Sequence, residues 1–236
     1  MAEWQARRFW SRVSVEQDAA GWSVLLDDRR LRTPGKQPLA LPTRALALAI
    51  AEEWQAQPEV ISPQLMPLTR AANSAIEKVT PQFDEVAAML AAYGATDLLC
   101  YRAETPESLV AAQAAGWDPL IDWAATELRA PLRITHGVIP VDQQAETLRQ
   151  LHQHVAGLDI FGLTALHDLV TLPGSLVLGL AVIRGRLDAG EAHRLSRIDE
   201  DFQAERWGCD DEAEAAAADR RVAMQTAERL WHLSRA

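Results

Sequence analysis

The chain is 236 residues and 26.0 kDa, with 48% hydrophobic residues, 24% charged residues and a net charge of −10. An ordinary apolar fraction with only 12 Gly and 12 Pro excludes a disordered chain, and the acidity excludes a general binder of nucleic acid or anionic membrane. Eight of the aromatic residues are Trp, against four Phe and two Tyr; Trp has the largest apolar area and one N–H donor, and serves both cores and partner-binding hot spots.

Met1–Ala6 lead straight into Arg7-Arg8-Phe9-Trp10 with no apolar run, so neither a secretory signal nor a transit peptide is expected ahead of the folded sequence. Phe9, Ser11, Val13 and Val15 then alternate with Trp10, Arg12 and Ser14, the period of a half-buried strand. Gly21 opens a second strand, Trp22–Leu26, which ends in the polar turn Asp27-Asp28-Arg29-Arg30. Leu31–Gly35 and Pro38–Leu41 read as two further short extended runs. A helix begins after Pro42 with Thr43 as its N-cap. Leu46, Ile50 and Trp54 form its apolar stripe, with Trp54 read as a packing anchor, and Pro58 stops it.

Beyond Ser62 the pattern is helical: Leu68–Val79, Gln82–Tyr93, Glu107–Leu128, Gln143–Val155, Gly162–Val170, Gly174–Ile183, Ala189–Arg206 and Asp211–Leu233. Leu132–Val138 is a short extended piece. The fold class is therefore α+β, a small β-rich N-terminal domain (residues 1–62) followed by a larger, irregular all-helical domain (residues 63–236). The most apolar run, Leu172–Ile183, is too short for the ~20 residues a bilayer crossing needs. It reads as a buried core helix, and no membrane insertion is expected.

Catalytic signatures are missing. There is no phosphate-cradling GxxxxGK[ST] and no GxGxxG. His152 and His154, two residues apart, point to different sides of a helix, and Pro173-Gly174-Ser175-Leu176 lacks the second glycine of a nucleophile elbow. Cys100 and Cys209 form no CxxC pair, so a disulfide framework is excluded. Cys100, in an apolar Leu98–Tyr101 setting, reads as a buried, inert thiol; its alternative is a thiol nucleophile. No cofactor or metal is called for.

The charge has an address. Residues 1–62 carry 8 basic and 8 acidic side chains, residues 63–236 carry 15 and 25, and Asp188–Asp219 alone holds 11 acids against 3 Arg. At the centre of that stretch is Arg197-Ile198-Asp199-Glu200-Asp201-Phe202-Gln203-Ala204-Glu205-Arg206-Trp207-Gly208. On a helix Arg197 lies one turn from both Glu200 and Asp201, and Asp201 one turn from Glu205. One reading is a solvated face with Ile198 and Phe202 in the core. A second is a docking surface that steers a basic partner. A third, a divalent-cation site at Asp199, Asp201 and Glu205, has no ligand-loop spacing behind it.

Several segments, in this order, resemble a known family. They are Arg8-Phe9-Trp10, Leu26-Asp27 through Thr33-Pro34, Ala51-Glu52-Glu53-Trp54 with Gln57, and Ile61-Ser62-Pro63 leading to Met66-Pro67-Leu68-Thr69. Thr96–Arg102, Trp117-Asp118-Pro119-Leu120 and Asp199-Glu200-x-Phe202-Gln203 with Trp207-Gly208 follow. Together they resemble the ATP synthase assembly chaperones that escort the alpha subunit of the soluble catalytic head, found in mitochondria and alpha-proteobacteria. Glu77-Lys78 departs from the family's aspartate and arginine but keeps both charges.

The resemblance implies a non-enzymatic, ATP-independent chaperone. It would bind the unassembled alpha subunit and keep it from self-association until it pairs with beta. A glutamate in the Asp-Glu-x-Phe-Gln motif is associated with family activity, and Glu200 is the matching position. The expected partner-binding residues are thus Glu200, Asp201, Glu205 and Trp207, in the bacterial cytoplasm or, for a processed chain, the mitochondrial matrix. The competing readings are an enzyme of unknown type built on Cys100 and a generic acidic-patch adaptor.

Overall fold

The computed structural model describes residues 7–137 and 139–236. Met1–Ala6, at issue for targeting, and Val138, the end of the extended piece, lie outside them. The chain forms two compact units. The first comprises the described residues up to Phe83 with Ile160–Thr164 and Arg229–Ala236; the second comprises Asp84–Asp159 and Ala165–Glu228. Residue 62, where the pattern changes character, falls between two helices of the first unit.

In the first unit, β1 (Val13–Asp18) and β2 (Gly21–Leu26) pair antiparallel from Val13↔Leu26 to Asp18↔Gly21. β3 (Arg29–Arg30) adds to β2. Gly21 is required twice over: its φ is +131°, and a Cβ would lie 2.5 Å from the Leu41 carbonyl oxygen. The strand expected from Phe9 starts only at Val13. The Asp27 carboxylate accepts the backbone N–H of Ser11 and of Arg12, each at 3.0 Å, so these donors leave the ladder. Both bonds hold the Asp27 carboxyl below its usual value. Arg29-Arg30, read as turn, is strand, and the two runs after it make only isolated pairings, Arg32↔Pro38 and Trp22↔Leu41.

Helix α1 (Arg44–Gln55) starts at Thr43, whose hydroxyl accepts the Leu46 N–H and donates to the Leu233 carbonyl. Helix α2 (Pro67–Ser74) runs on into a π-helical turn, Ala75–Val79. The Glu53 carboxylate of α1 accepts from Leu68 N (2.7 Å), Thr69 N (2.9 Å) and the Thr69 hydroxyl (2.7 Å), an anion seated on the first turn of α2. Gln57, buried, accepts the Ser62 N–H at 2.8 Å. Glu77 accepts hydrogen bonds from the Thr33 side chain and from Gly35 N, which hold its carboxyl low and fix the Thr33–Gly35 turn. Trp54 is half-buried and packs on the buried Trp10, ring centroids 5.2 Å apart.

The second unit holds α3 (Phe83–Ala92), α4 (Glu107–Glu127), α5 (Ala145–Ala156), α6 (Ile160–Thr171), α7 (Leu176–Ile183), α8 (Ala189–Ser196), α9 (Ile198–Trp207) and α10 (Asp211–Leu233), with α3, α6 and α10 shared at their ends with the first. Two-residue strands β4 (Tyr101–Arg102) and β5 (Thr135–His136) pair in parallel. All eight residues of α7 are buried, and no described helix is long and apolar enough to cross a membrane.

Its polar core is tightly specified. Asp97 is fully buried, accepting from Leu99 N (3.1 Å), the Ser175 hydroxyl (2.7 Å) and Val177 N (2.9 Å). Burial pushes its carboxyl up to about 6, against those hydrogen bonds, which pull it down. Arg102, also buried, donates to the Leu99 carbonyl at 2.8 Å, pairs with Asp118 at 2.8 Å and stands 5.3 Å over the Trp117 ring.

Candidate partner-docking site

One helix was expected over Ala189–Arg206; two are found, meeting at Arg197. The reason is tertiary. The fully buried Trp117 donates its indole N–H to the Leu195 carbonyl at 2.8 Å, the acceptor a continuous helix would offer to residue 199. Gly116 allows the corner to close: a Cβ there would stand 2.7 Å from Ile198 and 3.0 Å from Leu195. One turn earlier on α4, buried Gln113 accepts the Ala103 N–H at 2.8 Å and donates to Asp199 at 2.6 Å. Asp199 thus faces inward as a tether, and α9 leaves the corner in a fixed direction.

That direction sends the next carboxylates outward. Arg197 donates to Glu200 at 2.5 Å and pairs with Asp201 at 2.9 Å, the i+3 and i+4 partners read from the sequence. Arg220 of α10 reaches the same Glu200 oxygen at 3.5 Å. Of the two aromatics on α9, half-buried Phe202 lies under the Arg206 guanidinium at 4.4 Å. Trp207 is 78% exposed. Gly208, at φ +94°, ends the helix, its N–H donated to the Ala204 carbonyl.

An open groove of about 660 Å³ runs between α9 and the first half of α10. Glu200, Asp201, Glu205 and Trp207 all line it, so the four residues singled out by sequence share one concave surface. Asp199 does not; with its carboxylate on Gln113, the cation-site reading loses a member, and no ligand cluster occurs among the described residues. Sequence reasoning missed the α10 side of the groove, Arg220 and Glu214 with the intervening Cys209 and Asp210. The available signal was the switch from acids to Arg220-Arg221 along one helix.

Neither thiol is poised for chemistry. Cys100 is 1% exposed, and burial, reinforced by nearby Asp97, pushes its thiol up to about 12. Cys209 is exposed, and the Glu214 carboxylate hydrogen-bonded to it raises its pKa. Ser175 caps α7 and is buried against Asp97. His154 is occupied by the Leu128 carbonyl and Arg184.

The family model for the ATP12 chaperone protein matches residues 7–125. The chain belongs to the ATP12 chaperone family. The crystal structure of Atp12 from Paracoccus denitrificans is 74% identical to it, covers 99% of this chain and 100% of its own, and superposes with a TM-score of 0.97. An Asp-to-Lys variant of that Paracoccus protein is 73% identical, covers 98% of each chain and has a TM-score of 0.96. The mitochondrial atp12 protein of Schizosaccharomyces pombe is 25% identical over 214 residues, 86% of this chain and 74% of its own. Membership in the ATP12 family makes the chain an ATP synthase assembly chaperone and not an enzyme. The reading of an enzyme of unknown type built on Cys100 falls with it.

Proposed function

We propose that this chaperone binds the unassembled alpha subunit of the ATP synthase catalytic head and shields it until beta takes its place. The contact is the α9–α10 groove, with Glu200, Asp201 and Glu205 meeting basic side chains and Trp207 as the aromatic anchor. The observation that carries this reading is the convergence of three outward carboxylates and a 78% exposed tryptophan on one groove. An unassembled ring subunit exposes apolar surface that its neighbours later cover, an aggregation hazard. A chaperone with no nucleotide engine acts by occupying such surface and yielding by mass action. An exposed aromatic beside charged groups fits an interface of roughly 800 Å² per partner. The bacterial cytoplasm is the proposed location, in keeping with the Paracoccus likeness.

The test mixes Glu200→Lys protein with alpha subunit and measures complex formation beside the melting temperature. A folded variant with binding reduced at least tenfold supports the docking role. Wild-type binding by a folded variant removes it, and a lowered melting temperature with no separate binding loss assigns Glu200 to bracing α9. Raising salt from about 50 to about 500 mM is expected to weaken the wild-type complex, because exposed charges are screened beyond about 4–14 Å over that range.

A further inference from the structure

We infer that Arg220 is the internal counter-ion of the docking groove: it holds Glu200 while the groove is empty and yields it to a basic side chain of the client. This rests on the reading of Glu200 as a client contact.

Two arginines meet Glu200, and they are not equivalent. Arg197 is 17% exposed and belongs to the α9 corner, bound to Glu200 at 2.5 Å and to Asp201 at 2.9 Å. Both partners lie within one turn, so this pair moves with α9 and stays in place whatever enters the groove. Arg220 comes from α10, is 38% exposed and reaches Glu200 at 3.5 Å. It makes the long, solvent-facing contact of the two, the kind that contributes little to stability. Both guanidinium groups converge on the same carboxylate oxygen, Oε2. A carboxylate has about four acceptor positions, so a client donor can bind Glu200 before Arg220 lets go of Oε2. Both arginines line the groove and oppose an arriving cation, but only Arg220, on its long contact from α10, gives way easily.

Losing a contact of this kind costs little, so the exchange is easy and reversible. Keeping it in the empty groove has a use: a half-neutralised patch attracts fewer stray cations and favours a client that presents several basic groups at once. Arg220 is thus a positioning residue that sets how readily Glu200 is available.

The experiment is a binding titration with purified alpha subunit at about 50 mM salt, where charge effects are only partly screened. It compares wild type, Arg220→Met, Glu200→Gln and the double variant, with Arg221→Met as a control that removes the same charge from the neighbouring position. Arg220→Met is expected to bind about two- to fivefold tighter, the range of one exposed pair, with steeper salt dependence. Glu200→Gln is expected to weaken binding, and in that background Arg220→Met should gain nothing. Arg221→Met should change affinity less than Arg220→Met.

If Arg220→Met binds equally or more weakly while Glu200→Gln weakens the complex, the counter-ion role is overturned and the docking reading stands. If Glu200→Gln binds as wild type, the docking reading itself has failed and the counter-ion role goes with it. Should Arg220→Met fail to fold, Arg220→Gln is read by the same criteria, with Arg220→Lys expected to bind as wild type because it keeps the charge.

Discussion

Around Asp97, a carboxylate is sealed from water and met by three donors at 2.7, 2.9 and 3.1 Å, from residues 2 to 80 positions away. Around Glu200, a carboxylate stands in an open groove, held by the arginine at the start of its own helix and touched by a second from α10. Both belong to motifs that carry the family resemblance, and both lie in the same compact unit. The difference teaches that a recurring acidic residue is not by itself a contact. Asp97, Arg102, Trp117, Gln113 and Asp199 are spent on fixing where α4, α7 and the α8–α9 corner sit. Glu200 and Trp207 are left facing outward because that scaffold places them there.

The largest effect is expected at Asp97. Asp97→Ala strands three buried donors and is expected to lower the unfolding free energy by about 3 kcal/mol; a loss below about 1 kcal/mol in urea unfolding would show that the buried network is not what holds the unit. Its pH dependence sharpens the point. The carboxyl sits at about 6 in the fold against 3.8 when unfolded, so the native state holds the proton more tightly. The contribution of this group is therefore full below about pH 4 and is lost as pH rises through about 6. Asp97→Asn does not titrate, so the stability of wild type relative to it should decline across that window and stay level outside it.

A smaller effect is expected one step closer to the groove. Gln113→Leu unpairs the Ala103 N–H and releases Asp199, with a cost of about 2 kcal/mol. Amide exchange should quicken in α9 before it does in α7. Equal protection of α9 in wild type and variant would mean that the tether does not direct the helix. At the far end of the scale, Trp207→Ala is expected to change stability by no more than about 0.5 kcal/mol, being a surface substitution.

Much of this was legible in the sequence where local rules decide. Helix α10 runs over the expected Asp211–Leu233, Thr43 caps α1, and the most apolar run, Leu172–Ile183, holds the buried α7. What escaped is set by distant partners. Nothing between Ala189 and Arg206 breaks a helix except Gly190 near its start; the break at Arg197 comes from Trp117, 78 residues before the Leu195 carbonyl it takes. The late start of β1 has the same origin, since Asp27 takes two N–H groups that the alternating pattern assigned to a ladder. At the candidate site, Arg197's partners followed from helical spacing alone. Arg220 did not, because its approach to Glu200 depends on how α10 packs beside α9.

The most direct measurement is the affinity for isolated alpha subunit of the double variant Glu200→Gln/Trp207→Ala, taken with its melting temperature. An anchor of hot-spot strength is worth about 2 kcal/mol, close to 30-fold. The expected result is at least a tenfold loss of affinity with the melting temperature of wild type. Binding within about twofold of wild type, in a variant that is fully folded, would contradict the claim that this groove is where the client docks.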